Sequence, residues 1–233
     1  MSINVIAFNC SPNEEHGNTG KVLNRLLAGM QAEGANIELY YTNKMNIEKC
    51  LGCTEDPTFS TTGDCRVTDD MKYIYPKMRT ADIWIFASPN YQQVINHSLI
   101  NLFDRLEPLF EPANEFTNGT ENLSENNSKG KVLLLSTGNE FDALSFNQLI
   151  EHVKSLSKLF RRAYLGTIMR PHAWVLNGED YISEAINRFY NSLTLAGKEI
   201  VKTGNLSNDT LKIVNKDLLE KQKFLASLFS EMN

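Results

Sequence analysis

Short apolar runs that favour β-strands alternate along this chain with longer segments whose apolar residues recur at helical spacing. Strands are predicted at residues 3–8, 37–41, 83–87, 132–136 and 164–169, with a further strand-like run at 173–176. Helices are predicted at residues 19–34, 69–80, 97–110, 143–160, 181–201 and 210–232. Strands separated by helices imply crossover connections, so the sequence predicts a doubly wound α/β fold, with five parallel strands and helices on both faces of the sheet.

The alternation runs through the chain without a Pro/Gly/Ser-rich linker, so residues 1–233 are expected to form a single domain. One segment departs from the pattern. Residues 111–130 form a polar insertion loop longer than compact domains usually contain, typical of a lid, an interface element or a mobile connection. Residues 205–233 are expected to form a C-terminal helical extension.

Composition excludes several classes of function. The chain has 23 Lys+Arg and 28 Asp+Glu, a net charge of −5, without a clustered basic face. Binding to nucleic acid through phosphate neutralisation is therefore not expected. No apolar run reaches the length of a spanning helix, and the N-terminus lacks the pattern of a secretion signal, so we expect a cytoplasmic protein without membrane contact.

The loop after the first strand is rich in hydroxyl and amide groups and leads directly into the first helix. Ligands of open α/β sheets bind at the carboxyl ends of the strands. A phosphate placed there would meet free backbone N–H groups, the positive end of the helix dipole, and the side chains of Ser11, Asn18 and Thr19. The alternative is an ordinary loop with Thr19 as the helix N-cap. The glycine patterns of dinucleotide and triphosphate loops are absent from the sequence.

Two further loops should meet this one at the same edge of the sheet. The loop after the third strand contains Pro89, Asn90 and Tyr91, a set of rigid, amide and aromatic groups that suits a planar heteroaromatic ligand. The loop after the fourth strand contains Thr137, Gly138 and Asn139, where glycine allows close approach of the backbone. Plain turn chemistry is the alternative for either loop taken alone.

The sequence resembles the flavodoxin-like NADPH-dependent FMN reductases and their iron–sulfur flavoprotein relatives. The resemblance rests on three ordered motif groups within residues 3–110. They are Cys10-Ser11-Pro12-Asn13 with Gly17-Asn18-Thr19; Cys50-Leu51-Gly52-Cys53 with Gly63-Asp64-Cys65 and Asp69-Asp70-Met71; and Ser88-Pro89-Asn90-Tyr91 with Ser98 and Leu102-Phe103-Asp104-Arg105. Two residues depart from the family pattern: Asn13 stands where a basic residue is common, and Cys10 replaces a glycine.

The resemblance implies strand order 2-1-3-4-5 and FMN as the cofactor. Ser11, Asn18 and Thr19 would hold the FMN phosphate, while Pro89, Asn90 and Tyr91 would line the isoalloxazine ring. It further implies a homodimer or homotetramer. The implied function is oxidoreduction: a hydride passes from NAD(P)H to the flavin, which then reduces a quinone, a flavin, an azo or nitro compound, or iron. No side chain need act as an acid or base, because the hydride chemistry belongs to the cofactor.

Two alternatives come from other classes. A flavodoxin-type electron carrier would lack its own NAD(P)H turnover, and a scaffold that has lost the cofactor would bind no FMN.

The cysteines raise the question of a metal. Cys50, Cys53 and Cys65 lie in one loop, one thiolate short of the four that an iron–sulfur cluster or structural zinc generally needs. Cys10 is expected at the same edge of the sheet and could complete the set. A loop without metal is nevertheless the favoured interpretation, with a dithiol role for Cys50 and Cys53 as a further alternative.

Four histidines and one basic pair complete the candidates. His16 is expected near the phosphate, whereas His97, His152 and His172 lack metal-ligand spacing and are expected to be exposed or to cap helices. Arg161 and Arg162 are interpreted as a basic pair at a helix end that interacts favourably with the helix dipole. The alternative is that they attract a phosphate group of a cofactor.

Overall fold

The computed structural model describes residues 2–53, 65–109, 130–178 and 183–220 of the chain. The strands are β1 (Asn4–Asn9), β2 (Asn36–Tyr41), β3 (Ile83–Tyr91), β4 (Val94–Ile95), β5 (Lys131–Gly138) and β6 (Ala163–Arg170). The helices are α1 (Asn18–Ala32), α2 (Met71–Thr80), α3 (His97–Asp104), α4 (Asn147–Leu159), α5 (Ser183–Thr203) and α6 (Asn208–Val214). Short 3-10 turns cover Thr42–Lys44, Glu107–Leu109, Ala143–Phe146 and Ala173–Asn177.

The sheet confirms the predicted doubly wound fold. Its order is β2-β1-β3-β5-β6, and all four pairings along this path are parallel, so the five parallel strands have the order 2-1-3-4-5 in chain sequence. The sixth strand, β4, was not predicted. It pairs antiparallel with the end of β3, through Asn90 with Ile95 and Tyr91 with Val94.

Two apolar clusters lie on opposite faces of the sheet, because the central strands carry apolar side chains on both faces. One cluster includes Leu23 and Met30 of α1 and Leu193 and Ile200 of α5. The other receives α2, α3 and α4, which contribute the side chains Met71, Met78, Leu99, Leu102, Leu149 and Val153. Helices therefore cover both faces, as predicted.

Three predicted elements differ from the structure. Residues 173–176 are a 3-10 turn rather than a strand, because the chain leaves the sheet at Arg170 and His172 adopts a left-handed φ of 41°. The predicted helix 97–110 ends at Asp104. The predicted helix 210–232 is also shorter: α6 ends at Val214, and residues 215–220 are not helical. Residues 221–233 of the proposed extension, and nearly all of the proposed insertion loop 111–130, lie outside the described residues.

An asparagine covers the outer edge of β6. The Asn215 side chain accepts the N–H of Met169 at 2.7 Å and donates to the carbonyl of Thr167 at 2.9 Å. One amide group thus satisfies a donor and an acceptor that an edge strand would otherwise leave open to another strand. Arg170 supports the same segment by donating to the carbonyls of Val214 and Lys216.

Candidate functional site

The loop between β1 and α1 is folded by the side chain of Asn9, the last residue of β1. Its carbonyl oxygen accepts the N–H of Ser11 at 3.0 Å, and its amide donates to the carbonyl of Glu14 at 3.0 Å. The Ser11 hydroxyl accepts the N–H of Asn13 at 3.3 Å. Because these bonds close the loop tightly, Ser11 is buried directly beside the start of α1.

The N-terminus of α1 has backbone N–H groups that lack a hydrogen-bond partner among the described residues. Gly17 is the N-cap residue and provides no side-chain cap, and the first turn contains no acidic residue. No hydrogen bond in the described part of the chain uses the N–H groups of Asn18, Thr19 or Gly20. Unpaired N–H groups and the helix dipole together make a site for an anion. The alternative in which Thr19 caps the helix is therefore wrong.

Asn18 and Gly17 both lie at this N-terminus of α1. The Asn18 amide oxygen is buried and has no hydrogen-bond partner among the described residues, so this oxygen is not used to hold the loop together. A Cβ on Gly17 would lie 2.9 Å from the Cβ of Asn13 and 3.1 Å from the Ser11 hydroxyl. A Cβ at position 17 would therefore crowd Asn13 and Ser11, which favours glycine next to the free N–H groups.

Thr19 connects this loop to β5. Its hydroxyl lies 2.7 Å from the hydroxyl of Thr137, and both residues are buried. The hydrogen bond joins the first turn of α1 to the carboxyl end of β5 and fixes the distance between the first and fourth loops.

The loop after β3 is a tight hairpin. Gln92 and Gln93 have φ values of 52° and 63° and connect Tyr91 of β3 to Val94 of β4. Two successive residues in the left-handed region are typical of a type I′ turn, which usually requires Asn or Gly. Asn90 is buried and donates to the carbonyl of Ser145 at 3.1 Å, whereas Tyr91 is about half exposed.

All nine predicted site residues line one cavity of about 150 Å³. They are Ser11, Asn18, Thr19, Pro89, Asn90, Tyr91, Thr137, Gly138 and Asn139. The sheet brings them together because β1, β3 and β5 are adjacent and parallel, so that their carboxyl ends form one edge. A second cavity of about 430 Å³ shares Asn13, Gly17 and Asn18 with the first and is also lined by His16, whose position near a phosphate stays a prediction.

Three residues that line the first cavity were missed as site residues: Asn13, Gly17 and Ala173. Ala173 follows β6, and the rule that ligands bind at the carboxyl ends of strands could have identified it once β6 was placed next to β5. Neither cavity is lined by a lysine or arginine. The nearby Lys44 pairs with Glu14 and lies 3.8 Å from Glu15.

The prediction that His172 is exposed or caps a helix is wrong, because His172 is fully buried. Its ring stacks on Phe141 with a centroid distance of 4.6 Å, and neither ring nitrogen has a hydrogen-bond partner among the described residues. Burial, with the positive charge of Arg170 nearby, lowers the pKa of His172. The imidazole therefore stays neutral at pH 7 and acts as part of the packing behind the fourth loop.

The motif groups around the cysteines meet in a buried ion pair that sequence reasoning missed. The guanidinium of Arg105 binds both carboxylate oxygens of Asp69, and it also donates to the carbonyl of Glu48 at 2.6 Å and to the Cys65 sulfur at 3.5 Å. Asp69 accepts the N–H of Glu48 at 2.8 Å. Through these hydrogen bonds, Asp69 and Arg105 connect both ends of the loop that contains Cys50, Cys53 and Cys65 to the C-terminal end of α3.

Cys10 is buried, whereas Cys50 is exposed and Cys53 and Cys65 are partly exposed. Its side chain is buried in the apolar cluster that contains Phe8 and Phe86. Burial raises the pKa of the thiol to about 12, against a small opposing effect of a hydrogen bond with Thr42. All four cysteines lie within the described ranges, and in those ranges no three His, Cys, Asp or Glu residues are arranged to hold a metal ion. The described residues give no support to the expectation that Cys10 completes a set with the other three cysteines.

Comparison with known proteins gives one family match and related flavoproteins. The family model described as NADPH-dependent FMN reductase matches residues 3–176. An iron–sulfur flavoprotein of Methanocaldococcus jannaschii is 32% identical over 105 residues, which are 45% of this chain and 52% of that protein. The chain spans about half the length of the curated relatives that it matches.

Solved structures with the same fold include two reductases. An FMN-dependent NADH-azoreductase from Bacillus anthracis, in complex with FMN, has a TM-score of 0.60 and 13% identity, covering 85% of this chain and 99% of that one. An NAD(P)H:quinone oxidoreductase from Methanothermobacter marburgensis has a TM-score of 0.56 and 17% identity, covering 86% and 98%. At these identities the similarity establishes the fold alone. Among the described residues, no helix is long and apolar enough to span a membrane.

Proposed function

This chain belongs to the NADPH-dependent FMN reductase family, and we propose that it is an FMN-dependent oxidoreductase that uses NAD(P)H to reduce a small acceptor. The observation that carries the proposal is a cavity where N–H groups of α1 that have no partner among the described residues meet the loops after β3 and β5. The loop after β1 suits the phosphate end of FMN, and the other two loops suit a flat ring.

The described residues fit FMN. The N–H groups of Asn18, Thr19 and Gly20 and the hydroxyl of Ser11 would hold the phosphate, with no lysine or arginine among the residues that line the cavity. FMN, when bound, would supply the ring that accepts a hydride and passes the electrons on. Pro89, Asn90, Tyr91, Thr137, Gly138 and Asn139 would orient this ring and limit the access of water, so we assign no catalytic acid or base.

We infer a small acceptor such as a quinone, a flavin, an azo or nitro compound, or iron. Tyr91 is half exposed at the cavity and offers an aromatic surface on which a flat acceptor can stack. The azoreductase and quinone oxidoreductase that share the fold act on acceptors of this kind. We infer no resident metal, because no three His, Cys, Asp or Glu side chains among the described residues are arranged to hold one.

A homodimer or homotetramer in the cytoplasm is proposed as the working form. Exposed apolar side chains lie on the loops at the cavity edge of the sheet: Tyr91, Val94, Leu144 and Trp174. A second copy would bury them, and four free cysteines suit a reducing compartment. A single-copy mass in light scattering of the purified protein would contradict this assembly.

The binding site is tested by comparing FMN with riboflavin, which lacks the phosphate. Ser11→Ala is expected to weaken FMN binding about tenfold, because one hydrogen bond to a charged group is lost, and to leave riboflavin binding unchanged. Quenching of flavin fluorescence measures both affinities. Ser155→Ala on the exposed side of α4 is the matched control and should change neither. Equal losses for both ligands, or no FMN binding by the unaltered protein, would refute the assigned phosphate site.

Turnover separates an enzyme from a flavodoxin-type carrier. The FMN-loaded protein is expected to oxidise NAD(P)H continuously with a small quinone as the acceptor. If it binds FMN yet consumes NAD(P)H only when a separate reductase is added, the carrier function is the correct one.

A further inference from the structure

Glu140 contacts the loops on both sides of β5. It stands two residues beyond the end of that strand. Its backbone carbonyl accepts the N–H of His172 at 2.9 Å, and its carboxylate oxygen Oε1 accepts the N–H of Gln92 at 3.2 Å. One residue therefore joins the hairpin after β3, the loop after β5 and the loop after β6.

The hairpin has little else to hold its tip. Its ladder consists of two residue pairs, and the four residues from Tyr91 to Val94 are all exposed. Gln92 and Gln93 both occupy the left-handed region, which is unfavourable for a residue with a side chain. The hydrogen bond from Gln92 to Glu140 anchors this turn from outside.

The other carboxylate oxygen of Glu140 lies next to Gly138. Oε2 of Glu140 is buried, has no hydrogen-bond partner among the described residues, and lies 2.8 Å from the position that a Cβ on Gly138 would take. The same position is 3.0 Å from Phe146 and 3.4 Å from the carbonyl of Asn90. A side chain at 138 would displace the carboxylate, so Gly138 makes room for Glu140.

We propose that Glu140 is a positioning residue of the ring site: its carboxylate fixes the hairpin against β5 and thereby sets where Tyr91 lies relative to Thr137 and Gly138. The consequence for FMN rests on the proposed function. The conformational role does not, because every contact that carries it lies within the protein itself.

Hydrogen exchange tests the conformational role in the full chain without ligand. Glu140→Ala is expected to speed amide exchange in residues 88–95 about tenfold, since the turn loses its outer hydrogen bond. Glu140→Gln keeps an acceptor of the same length and should restore slow exchange. Glu140→Asp, a smaller change that keeps the charge but shortens the reach, should behave like Glu140→Ala. Glu151→Ala, which removes an exposed carboxylate on α4, is the matched control.

Affinity for FMN tests the consequence. Glu140→Ala, Glu140→Asp and Gly138→Ala should each weaken FMN binding about tenfold, while Glu140→Gln stays within about threefold of the unaltered protein. Unchanged exchange in both Glu140→Ala and Glu140→Asp would overturn the proposal. Faster exchange with unchanged FMN affinity would overturn the link to the ring site. If the unaltered protein binds no FMN, the proposed function fails, and the exchange data still decide the role of Glu140.

Discussion

The backbone of Cys10 lies in the loop after β1, but its side chain is buried in an apolar cluster and does not line the cavity. It follows β1 directly, and its N–H donates to the carbonyl of Ala87 in β3 at 2.8 Å, which continues the sheet by one residue. Strand geometry alternates side chains between the two faces, so that the thiol points into the apolar cluster on one face. The neighbouring Ser11 instead lines the cavity.

Alkylation measures this difference between the cysteines. Because burial raises the pKa of Cys10 to about 12, its thiol is protonated at pH 7 and shielded from reagent. We expect iodoacetamide to label the exposed Cys50 in the folded protein and to label Cys10 only after unfolding. Peptide mass spectrometry with and without denaturant gives the answer, and rapid labelling of Cys10 in the native protein would show that it is accessible.

At the scale of elements, the pair of Asp69 and Arg105 joins the cysteine loop to α3. Burial by itself would raise the pKa of Asp69, but hydrogen bonds from Arg105 and from the N–H groups of Glu48 and Met71 hold it below its usual value. Tyr75 adds a hydrogen bond to the carbonyl of Arg105 at 2.8 Å. The pair is fully enclosed, so removal of one partner would leave an uncompensated charge in the interior.

Asp69→Asn is therefore expected to lower the free energy of unfolding by about 3–5 kcal/mol. Asp70→Asn is the control: its carboxylate accepts the N–H of Asn46 at 2.7 Å in an exposed position, and because the asparagine oxygen can still accept this N–H, the change should cost no more than about 1 kcal/mol. Urea denaturation measures both. The pKa of Asp69 in the folded protein lies below its value of about 3.9 in the unfolded chain. The pair therefore stabilises the folded state fully at pH values above about 3.9, and this stabilisation is lost as the pH falls through the pKa of the folded state. Equal losses for the two variants would contradict the role of the pair.

At the scale of the whole molecule, helices α1 and α5, which are far apart in the chain, pack closely against each other on one face of the sheet. A Cβ on Gly29 of α1 would lie 2.0 Å from the carbonyl oxygen of Thr194 in α5, and a Cβ on Gly197 would lie 2.2 Å from that of Leu26. The two glycines let the helix backbones approach closely. We propose on this ground that the chain is a single domain, because α1 cannot lose its packing without exposing α5.

Calorimetry is expected to show one unfolding transition for the purified chain. Gly29→Ala should shift the whole transition and lower stability by about 1–3 kcal/mol through overpacking, although alanine favours helices by about 1 kcal/mol. Ala28→Gly, at an exposed position of the same helix, should cost about 1 kcal/mol through propensity alone. Two separate transitions, or a stabilised Gly29→Ala variant, would argue against this packing and the single domain.

Much of the fold was predictable because hydrophobic periodicity is a local property. The run at 132–136 and the helical stripe of Val22, Leu23 and Leu26 are visible within a few residues, and the five parallel strands and their order are confirmed. The candidate site followed from one general rule about the carboxyl ends of parallel strands. That rule placed Ser11, Pro89 and Thr137 together, although they are far apart in the chain, and the structure places them around one cavity.

The sequence by itself determined the alternation of strands and helices and the loops that meet at one edge of the sheet. Only the tertiary structure decided the β4 hairpin, the partner of Arg105 and the role of Arg162. Arg162 donates to the carbonyls of Met78 and Ala81 at the end of α2, and so answers the dipole of a helix distant in the chain. These features depend on contacts between residues that are tens of positions apart in the chain. A local pattern of residue types does not specify which distant residue a side chain will contact in the folded protein.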